Sequence, residues 1–580
     1  VRAVTIPALL DQLSEIVGRA FAAQGFAAVR GRVVLSARPD LGQFQCNGAM
    51  ACAKEARKNP MEIAEKVAFA LETESAIFSR IEVAKPGFLN LDATDQFLSA
   101  HAQHMADDAA LGGYRTDDPK KVMIDYCGPN VAKSMHVGHL RTSIIGNSLY
   151  RLFKQVGHEV ISDIHLGDWG LQMGMLISQI EIEQPDLPYF DADKTHGFPS
   201  VSPVTLADLE VMYPKVAAEC KENPARMELA RNATQQLQDG HVGYRALWQH
   251  FVDVSLEQIK ENLRLLDVDF DLWYGESSVQ GRIAPMVERM KAKNVAEESE
   301  GAWIVRVAQE GDKNEIPPLL LVKSDGAALY STTDLATIEQ RVDDLNPDEI
   351  LYVVDQRQHL HFEQVFRAAE RANMAKNTTF EHIGYGTVNG PDGKPFKTRA
   401  GGVMRLRDLI DMSIEAVKAK NPDMDNELAS TIGIAALKFA DLSGNRLSGY
   451  VFDPEKFVSF EGRTGPYLQY ACVRVHSIMQ KSNISAGQIN ICEPEERALV
   501  LTASRFPLAM KDALLTREPS VISDFAYDLA QAFSRFYAAC PIARAEDPKI
   551  AASRMALARL AYGQISACLH ILGIRVPSKM

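Results

Sequence analysis

The spacing of apolar residues changes several times along the 580-residue chain, and each change marks a boundary. Leu9 to Phe21 repeat at helical intervals, and Val29 to Leu35 read as a strand. Asn59-Pro60-Met61 then opens a second helix, with proline in its first turn. Two short alternating strands, Ile81 to Ala84 and Phe88 to Leu91, are split by Pro86-Gly87. Residues 1–110 are therefore expected to form an α+β module, and the Asp-, Gly- and Pro-bearing tract from Asp107 to Lys120 a linker. A new pattern begins at Lys121. Val122-Met123-Ile124 is a buried-strand run that Cys127-Gly128-Pro129-Asn130 breaks. Leu140 to Val156 place their apolar positions on one helical face, Gly157 stands at the C-cap, and Val160-Ile161 starts another strand.

Strand, turn, helix and strand in that order are the opening of a doubly wound nucleotide-binding sheet. Residues 185–300 read as a helical insertion, through Arg226 to Val254 and Leu256 to Leu266. Strand-like runs return at Trp303 to Val305, Leu319 to Val322 and Ile350 to Val354. After Gly402 the pattern is helical again, and Tyr467 to Leu572 carry almost no strand signal, which predicts a helical bundle. The expected fold class is α/β. It consists of a Rossmann-type doubly wound parallel-sheet catalytic domain over 111–452, an N-terminal α+β module over 1–110 and a C-terminal all-α helical bundle over 453–580.

Composition narrows this picture. With 46% apolar and 24% charged residues the chain is ordinary globular material, neither disordered nor a small disulfide scaffold. No apolar run is long enough for a transmembrane helix, and Val1 to Thr5 show no secretory pattern. The eight cysteines are scattered without a C-x-x-C pair, so structural zinc is not expected and free thiols in a reducing cytoplasm are. A net charge of −13 argues against binding nucleic acid by electrostatics alone. The segment from Glu455 to Met580 is nevertheless basic, with 15 Lys/Arg against 11 Asp/Glu.

The candidate chemistry sits in the turn after the first sheet strand, Asn130-Val131-Ala132-Lys133-Ser134-Met135-His136-Val137-Gly138-His139. Free N–H groups at a helix start favour phosphate there, and Gly138 admits a ribose or purine close to the backbone. His136 and His139 can donate to phosphate oxygens that gain charge as pyrophosphate leaves, and Lys133 adds a fixed cation. The same letters also describe a polar turn with two satisfied histidines, so a second element is needed. Gly384-Tyr385-Gly386-Thr387-Val388 leads into Gly393-Lys394-Pro395-Phe396-Lys397-Thr398-Arg399, which reads either as a basic loop closing over a triphosphate or as a solvated hairpin tip.

Together these segments resemble the arginyl-tRNA synthetase family, of bacterial type, over nearly the whole chain. The resemblance includes Phe44 to Ala49, Pro86 to Asn90, Pro129 to His139, Gly167-Asp168-Trp169-Gly170, Pro395 to Arg399 and Thr464 to Tyr470. It implies ATP-dependent activation of L-arginine to arginyl-adenylate and transfer to the 3′ end of tRNA(Arg). Magnesium would be carried by the ATP, and activation would need bound tRNA. A cytoplasmic enzyme, usually monomeric and with no membrane, is implied too. The HIGH-type turn would supply Lys133, His136, Gly138 and His139, and the degenerate KMSKS-type loop Lys397 and Arg399, with Lys133 compensating for the lysine replaced by Thr398.

Gly386, Thr387 and Val388 would join His136, Gly138 and His139 around the ATP. The resemblance assigns Asp125, Asn130 and Gln358 to the α-amino and α-carboxylate ends of arginine, and Tyr330 and Asp334 to the guanidinium. Glu276 is a second carboxylate for that planar, permanently charged group. Taken singly, Asp334 also reads as a helix N-cap and Gln358 as a surface amide. The C-terminal bundle would bind the anticodon stem-loop, with Arg446, Tyr450 and Arg474 as contacts. Tyr467 and Tyr470 would serve either that face or the core. Two readings compete: another class I synthetase, such as a cysteinyl or glutamyl enzyme, and a silent RNA-binding paralogue that keeps the fold.

Overall fold

The computed structural model describes residues 7–324, 329–390, 392–394, 396, 403–545 and 547–580. They divide into two compact units, one of Asp117–Val458 with Leu572–Ile574, the other of the remaining N- and C-terminal segments.

The first unit is built on a four-stranded parallel sheet. Its strands are β1 (Lys121–Asp125), β2 (Glu159–Asp163), β6 (Glu349–Asp355) and β7 (Thr379–Tyr385), in the spatial order β7-β6-β1-β2. The chain starts in the middle of the sheet, steps outward to β2, then crosses back to β6 and β7. That reversal is the doubly wound topology expected, and it leaves a crevice at the carboxyl edge between β1 and β6. Helix α1 (Val137–Val156) follows β1 and closes on Gly157, whose φ of 106° provides the left-handed cap.

Between β2 and β6 lie the helices α2 (Leu171–Glu183), α3 (Leu206–Glu222), α4 (Pro224–Asp239), α5 (Val242–Leu265) and α6 (Gln280–Ala292). They are followed by β3 (Glu297–Ser299), β4 (Ala302–Val305), β5 (Leu319–Val322) and helix α7 (Tyr330–Leu345). The strand-like runs at Trp303 to Val305 and Leu319 to Val322 thus do not extend the parallel sheet. With β3 they form a separate antiparallel sheet in the order β3-β4-β5. Leu319 and Leu321 are buried while Leu320 is exposed, the alternation of a sheet with one covered face. The parallel sheet resumes only at Glu349. Helix α8 (His359–Arg371) joins β6 to β7, and the short strands β8 (Val388–Asn389) and β9 (Tyr450–Val451) pair in parallel beyond it. Between β8 and β9 run the helices α9 (Leu406–Lys420) and α10 (Asn426–Leu442).

In the other unit, the first hundred residues fold as helices around a four-stranded antiparallel sheet. Only Val33–Leu35 of the expected 29–35 strand pairs; Ala28–Gly31 is a 3₁₀ turn. The reason is a close crossing: a Cβ on Gly31 would stand 2.2 Å from the Gly18 nitrogen, so the chain bends over helix Leu9–Ala23 there. Five helices between Gly465 and Ile571 make the bundle. They pack onto the N-terminal module rather than standing apart from it. Arg497 pairs with Asp95 and donates to the Ala93 carbonyl at 2.6 Å, while Gln564 Nε2 donates to the Leu111 carbonyl at 2.9 Å. Among the described residues no helix is long and apolar enough to cross a membrane.

Candidate active site

The turn after β1 is held from several sides. Val131 and Ala132 are buried in the apolar core of the helical insertion, with Met173, Leu247 and Phe251. Ala132 has a φ of 63°, and its N–H donates to Ser255 Oγ at 2.9 Å. The Ser134 N–H donates to Glu210 Oε1 at 2.7 Å, and Val131 N–H to the Gly167 carbonyl at 3.0 Å. Downstream, the Leu406 N–H donates to the Met135 carbonyl and the Val137 N–H to that of Met404, both at 2.9 Å. Residues just past the basic loop are therefore tied directly to this turn. Lys397 and Arg399 themselves lie outside the described residues.

His136 is the N-cap of α1. The Gly138 N–H donates to its Nδ1 at 3.0 Å, and the His136 N–H donates in turn to His139 Nδ1, also at 3.0 Å. An Nδ1 that accepts cannot carry the proton of a neutral ring, so each imidazole keeps its proton on Nε2, ready to donate. Burial pushes both rings down from their ordinary range, His139 to about 3 with the help of neighbouring His136, and His136 with the help of Lys133. Both are neutral at physiological pH. Gly138 has a further role that its sequence position did not reveal: a Cβ there would stand 2.8 Å from His136 Cε1, so glycine is needed for the capping ring to lie flat against the helix start. Lys133 Nζ sits 4.3 Å over the Tyr213 ring of α3, which orients the cation without neutralising it.

The carboxyl ends of the strands gather the acids. Asp125 and Asp163 are register partners on β1 and β2, and the buried Arg341 of α7 bridges them at 2.6 and 2.7 Å. Asp125 is thus engaged by an internal cation as well as facing the crevice. His165, with a φ of 43°, stands near Asp163, and among the described residues neither of its buried ring nitrogens has a hydrogen-bond partner. Asn130, exposed, forms a parallel bridge with Gly167. Gln358 is exposed at the end of a 3₁₀ turn, Gln356–Gln358, that follows β6.

A second acidic group forms at Glu276. Asp168 accepts from the Ser277 N–H at 2.9 Å and from Ser277 Oγ at 2.5 Å, fixing the short turn that carries Glu276. Burial, with the charges of Asp334 and Asp168 facing it, pushes the Glu276 carboxyl up to about 8. Asp334 does not cap α7, whose N-cap is Leu329; it lies a turn inside the helix and accepts from His361 Nε2 at 2.6 Å. Tyr330 begins the same helix, 76% exposed, with its hydroxyl in the field of Glu276. Two further carboxylates and a phenol therefore act on the space around Glu276. Asp168, Asp163, Arg341, His165 and His361 were not singled out as site residues from the sequence. Of these, Asp168 stood in the Gly167–Gly170 segment that carries the resemblance, and Asp163 ends the strand beside Asp125.

Gly386, Thr387 and Val388 leave the carboxyl end of β7. Val388 is buried and pairs with Tyr450, and the Gly386 N–H donates to the Arg446 carbonyl at 2.9 Å. Arg446 and Tyr450 are not part of the helical bundle. Arg446 Nη1 donates to the Gly384 carbonyl at 2.5 Å, and Tyr450 packs its ring 5.5 Å from the Arg141 guanidinium beside buried Asp441. Both side chains help to fasten β8 and β9 to the sheet. Arg474 does lie in the bundle, on helix Gly465–Lys481, exposed and 5.2 Å from the Tyr537 ring. Tyr470 is exposed on the same helix, whereas Tyr467 packs 5.5 Å from Tyr527.

The doubly wound sheet and the sequence around it place the chain among the class I tRNA synthetases. The family model for the class I (R) tRNA synthetase catalytic domain matches residues 102–454, that for the arginyl-tRNA synthetase N-terminal domain residues 8–93, and that for the DALR anticodon-binding domain residues 468–580. The chain belongs to the arginyl-tRNA synthetase family. Curated arginine–tRNA ligases of Maricaulis maris and Hyphomonas neptunium are each 49% identical to it, over 99% of this chain and 100% of theirs. In fold it is similar to the arginyl-tRNA synthetase of Plasmodium falciparum, with a TM-score of 0.80 at 24% identity over 100% of both chains. The Thermus thermophilus enzyme gives 0.77 at 23% identity over 99% of this chain and 100% of its own.

Proposed function

We propose that the chain is an arginine–tRNA ligase that activates L-arginine with ATP and passes it to the 3′ end of tRNA(Arg). The observation that carries this reading is the acidic space of Asp168, Glu276, Asp334 and Tyr330 at the same sheet edge as the His136–His139 turn. A guanidinium is the side chain such a space is built to take, since it is planar, always charged and supplies five donors. Asp125, Asn130 and Gln358 hold the α-amino and α-carboxylate ends. The arginine carboxylate then attacks the α-phosphate in line, forming the carboxyl–phosphate bond of the adenylate as the bond to pyrophosphate breaks. No side-chain nucleophile takes part, so the protein works by positioning and charge stabilisation.

His136 and His139 donate Nε2–H bonds to the phosphates, Gly138 keeps the first ring in place, and Lys133 supplies a cation at the leaving group. Gly386, Thr387 and Val388 border the nucleotide, and Lys397 and Arg399 supply further cations for the triphosphate. Magnesium arrives on the ATP, held by phosphate oxygens and water. The C-terminal helices, with Arg474 and Tyr470, take the anticodon stem-loop, where single-stranded bases are read by stacking and edges. Residues 1–110, 111–452 and 453–580 divide the work as binding of the outer corner of the folded tRNA, catalysis and anticodon reading. The enzyme acts as a monomer in the cytoplasm.

The test is ATP–pyrophosphate exchange with each amino acid, with and without total tRNA. Exchange with arginine, dependent on tRNA, is expected. Exchange with a different amino acid would overturn the pocket, and silence in a folded protein would favour an RNA-binding paralogue.

A further inference from the structure

Asp334 has an unusual set of neighbours. Glu276 and Asp168 bring like charge towards the same space, and among the described residues the hydrogen-bond donor to the Asp334 carboxylate is the His361 imidazole, at 2.6 Å. His361 comes from another element, the first turn of α8, directly after the 3₁₀ turn that ends in Gln358. Its ring stands edge-on to Phe362, 5.4 Å between centroids, and Phe362 is itself buried in the core beneath α7 and α8. The imidazole is therefore packed against a core side chain, and its Nε2 meets only one of the two carboxylate oxygens, Oδ2.

A carboxylate that can rotate offers a ligand no fixed acceptor. A fixed N–H on one oxygen selects the rotamer, so that Oδ1 is left for a ligand. We propose that His361 is a positioning residue of the arginine pocket, which holds the Asp334 carboxylate in one orientation and so sets the preference for a charged guanidinium over a neutral side chain of the same shape. His361 need not touch the substrate. By joining α7 to the segment that presents Gln358, it also ties the guanidinium end of the pocket to the α-carboxylate end.

The inference rests on Asp334 being a guanidinium partner, so the experiment carries both. Exchange kinetics are measured in the presence of tRNA for the parent and for Asp334→Asn, His361→Leu and His361→Gln, with arginine and with citrulline, whose side chain is the neutral urea counterpart. His361→Leu is expected to raise KM for arginine about tenfold or more, the scale of a hydrogen bond to a charged group, with KM for ATP unchanged within about twofold. The preference for arginine over citrulline should fall by a similar factor. His361→Gln, whose amide nitrogen reaches the place of Nε2, should restore most of both. An equal rise in the two KM values for His361→Leu would reveal a merely structural role and overturn the proposal. So would a Gln variant as impaired as the Leu variant. If Asp334→Asn leaves KM for arginine unmoved, the pocket reading falls with it. If Asp334→Asn raises that KM and His361→Leu does not, the pocket stands and only the role of His361 is lost.

Discussion

The turn between β1 and α1 and the acidic pocket at Glu276 meet opposite electrostatic demands at one sheet edge. The turn offers its groups from consecutive residues, Asn130 to His139, locked by backbone hydrogen bonds, and its histidines are held neutral by burial. The pocket draws Asp168, Glu276, Tyr330, Asp334 and His361 from four separate stretches of chain and brings their negative charges together. A binding site for a polyanion is safe to preorganise out of dipoles, because N–H groups at a helix start cost little when empty. A site for a cation must hold carboxylates close, and that is uncomfortable until the ligand arrives. One half of the site is preorganised by backbone hydrogen bonds, and the other is primed.

Breaking the turn should have the largest effect. Lys133 lies over Tyr213 without a carboxylate partner in that contact, so Lys133→Ala removes charge while sparing the fold. The expected result is a loss of about 10²-fold or more in kcat for pyrophosphate exchange, with KM for arginine little changed. Activity near the parent level would show that the loop after β8 supplies the needed cation alone.

pH separates the two regions more finely. His139 titrates near 3, so the turn keeps one protonation state across the neutral range. Glu276 titrates near 8 in the empty pocket, and the guanidinium favours its anion, so arginine binding releases a proton below that value. KM for arginine should therefore fall as pH rises towards about 8, by at most about tenfold per pH unit, and level off above. KM for ATP measured alongside should stay flat, and Glu276→Gln should abolish the slope. The same carboxyl has the opposite effect on the empty fold. Its folded value lies above the ordinary 4.5, so the stability it contributes is complete below 4.5 and is lost as pH climbs through about 8. Glu276→Gln should accordingly raise the Tm of the unliganded protein at pH 9 and leave it nearly unchanged at pH 4.5.

The smallest effect is expected outside both regions. Arg474→Ala, on the bundle helix, should raise KM for tRNA a few-fold and reduce the salt dependence of tRNA binding by about one charge, leaving exchange KM values for arginine and ATP alone. A change in the arginine KM would mean that Arg474 does more than hold phosphate.

The contrast also explains what was legible. The turn could be read directly, because strand, glycine-bearing break and helix periodicity are local signals, and the chemistry lies inside them. Glu276 and Asp334 could be named only through resemblance, and His361 not at all, since nothing in the spacing from 334 to 361 encodes a hydrogen bond between α7 and α8. Arg446 and Tyr450 add the complement: a basic and an aromatic residue near a helical segment suggested RNA, and nothing in the sequence showed that they also pack against Gly384, Arg141 and Asp441. The short strands at 302–305 and 319–322 were recognisable as strands, but an alternating pattern does not say which sheet a strand will join.

By itself, then, the sequence determined the class of fold, the strand–turn–helix that carries the imidazoles, and the family. Those depend on periodicity and on residues adjacent in the chain, where short-range sterics and backbone hydrogen bonds decide the outcome. Tertiary structure alone decided that Arg341 would bridge Asp125 and Asp163, that Glu276 would face two other carboxylates, and that the N-terminal module would pack with the C-terminal helices. The physical reason is that charge–charge energies and burial depend on distance in space. That distance is set only when elements far apart in sequence have packed.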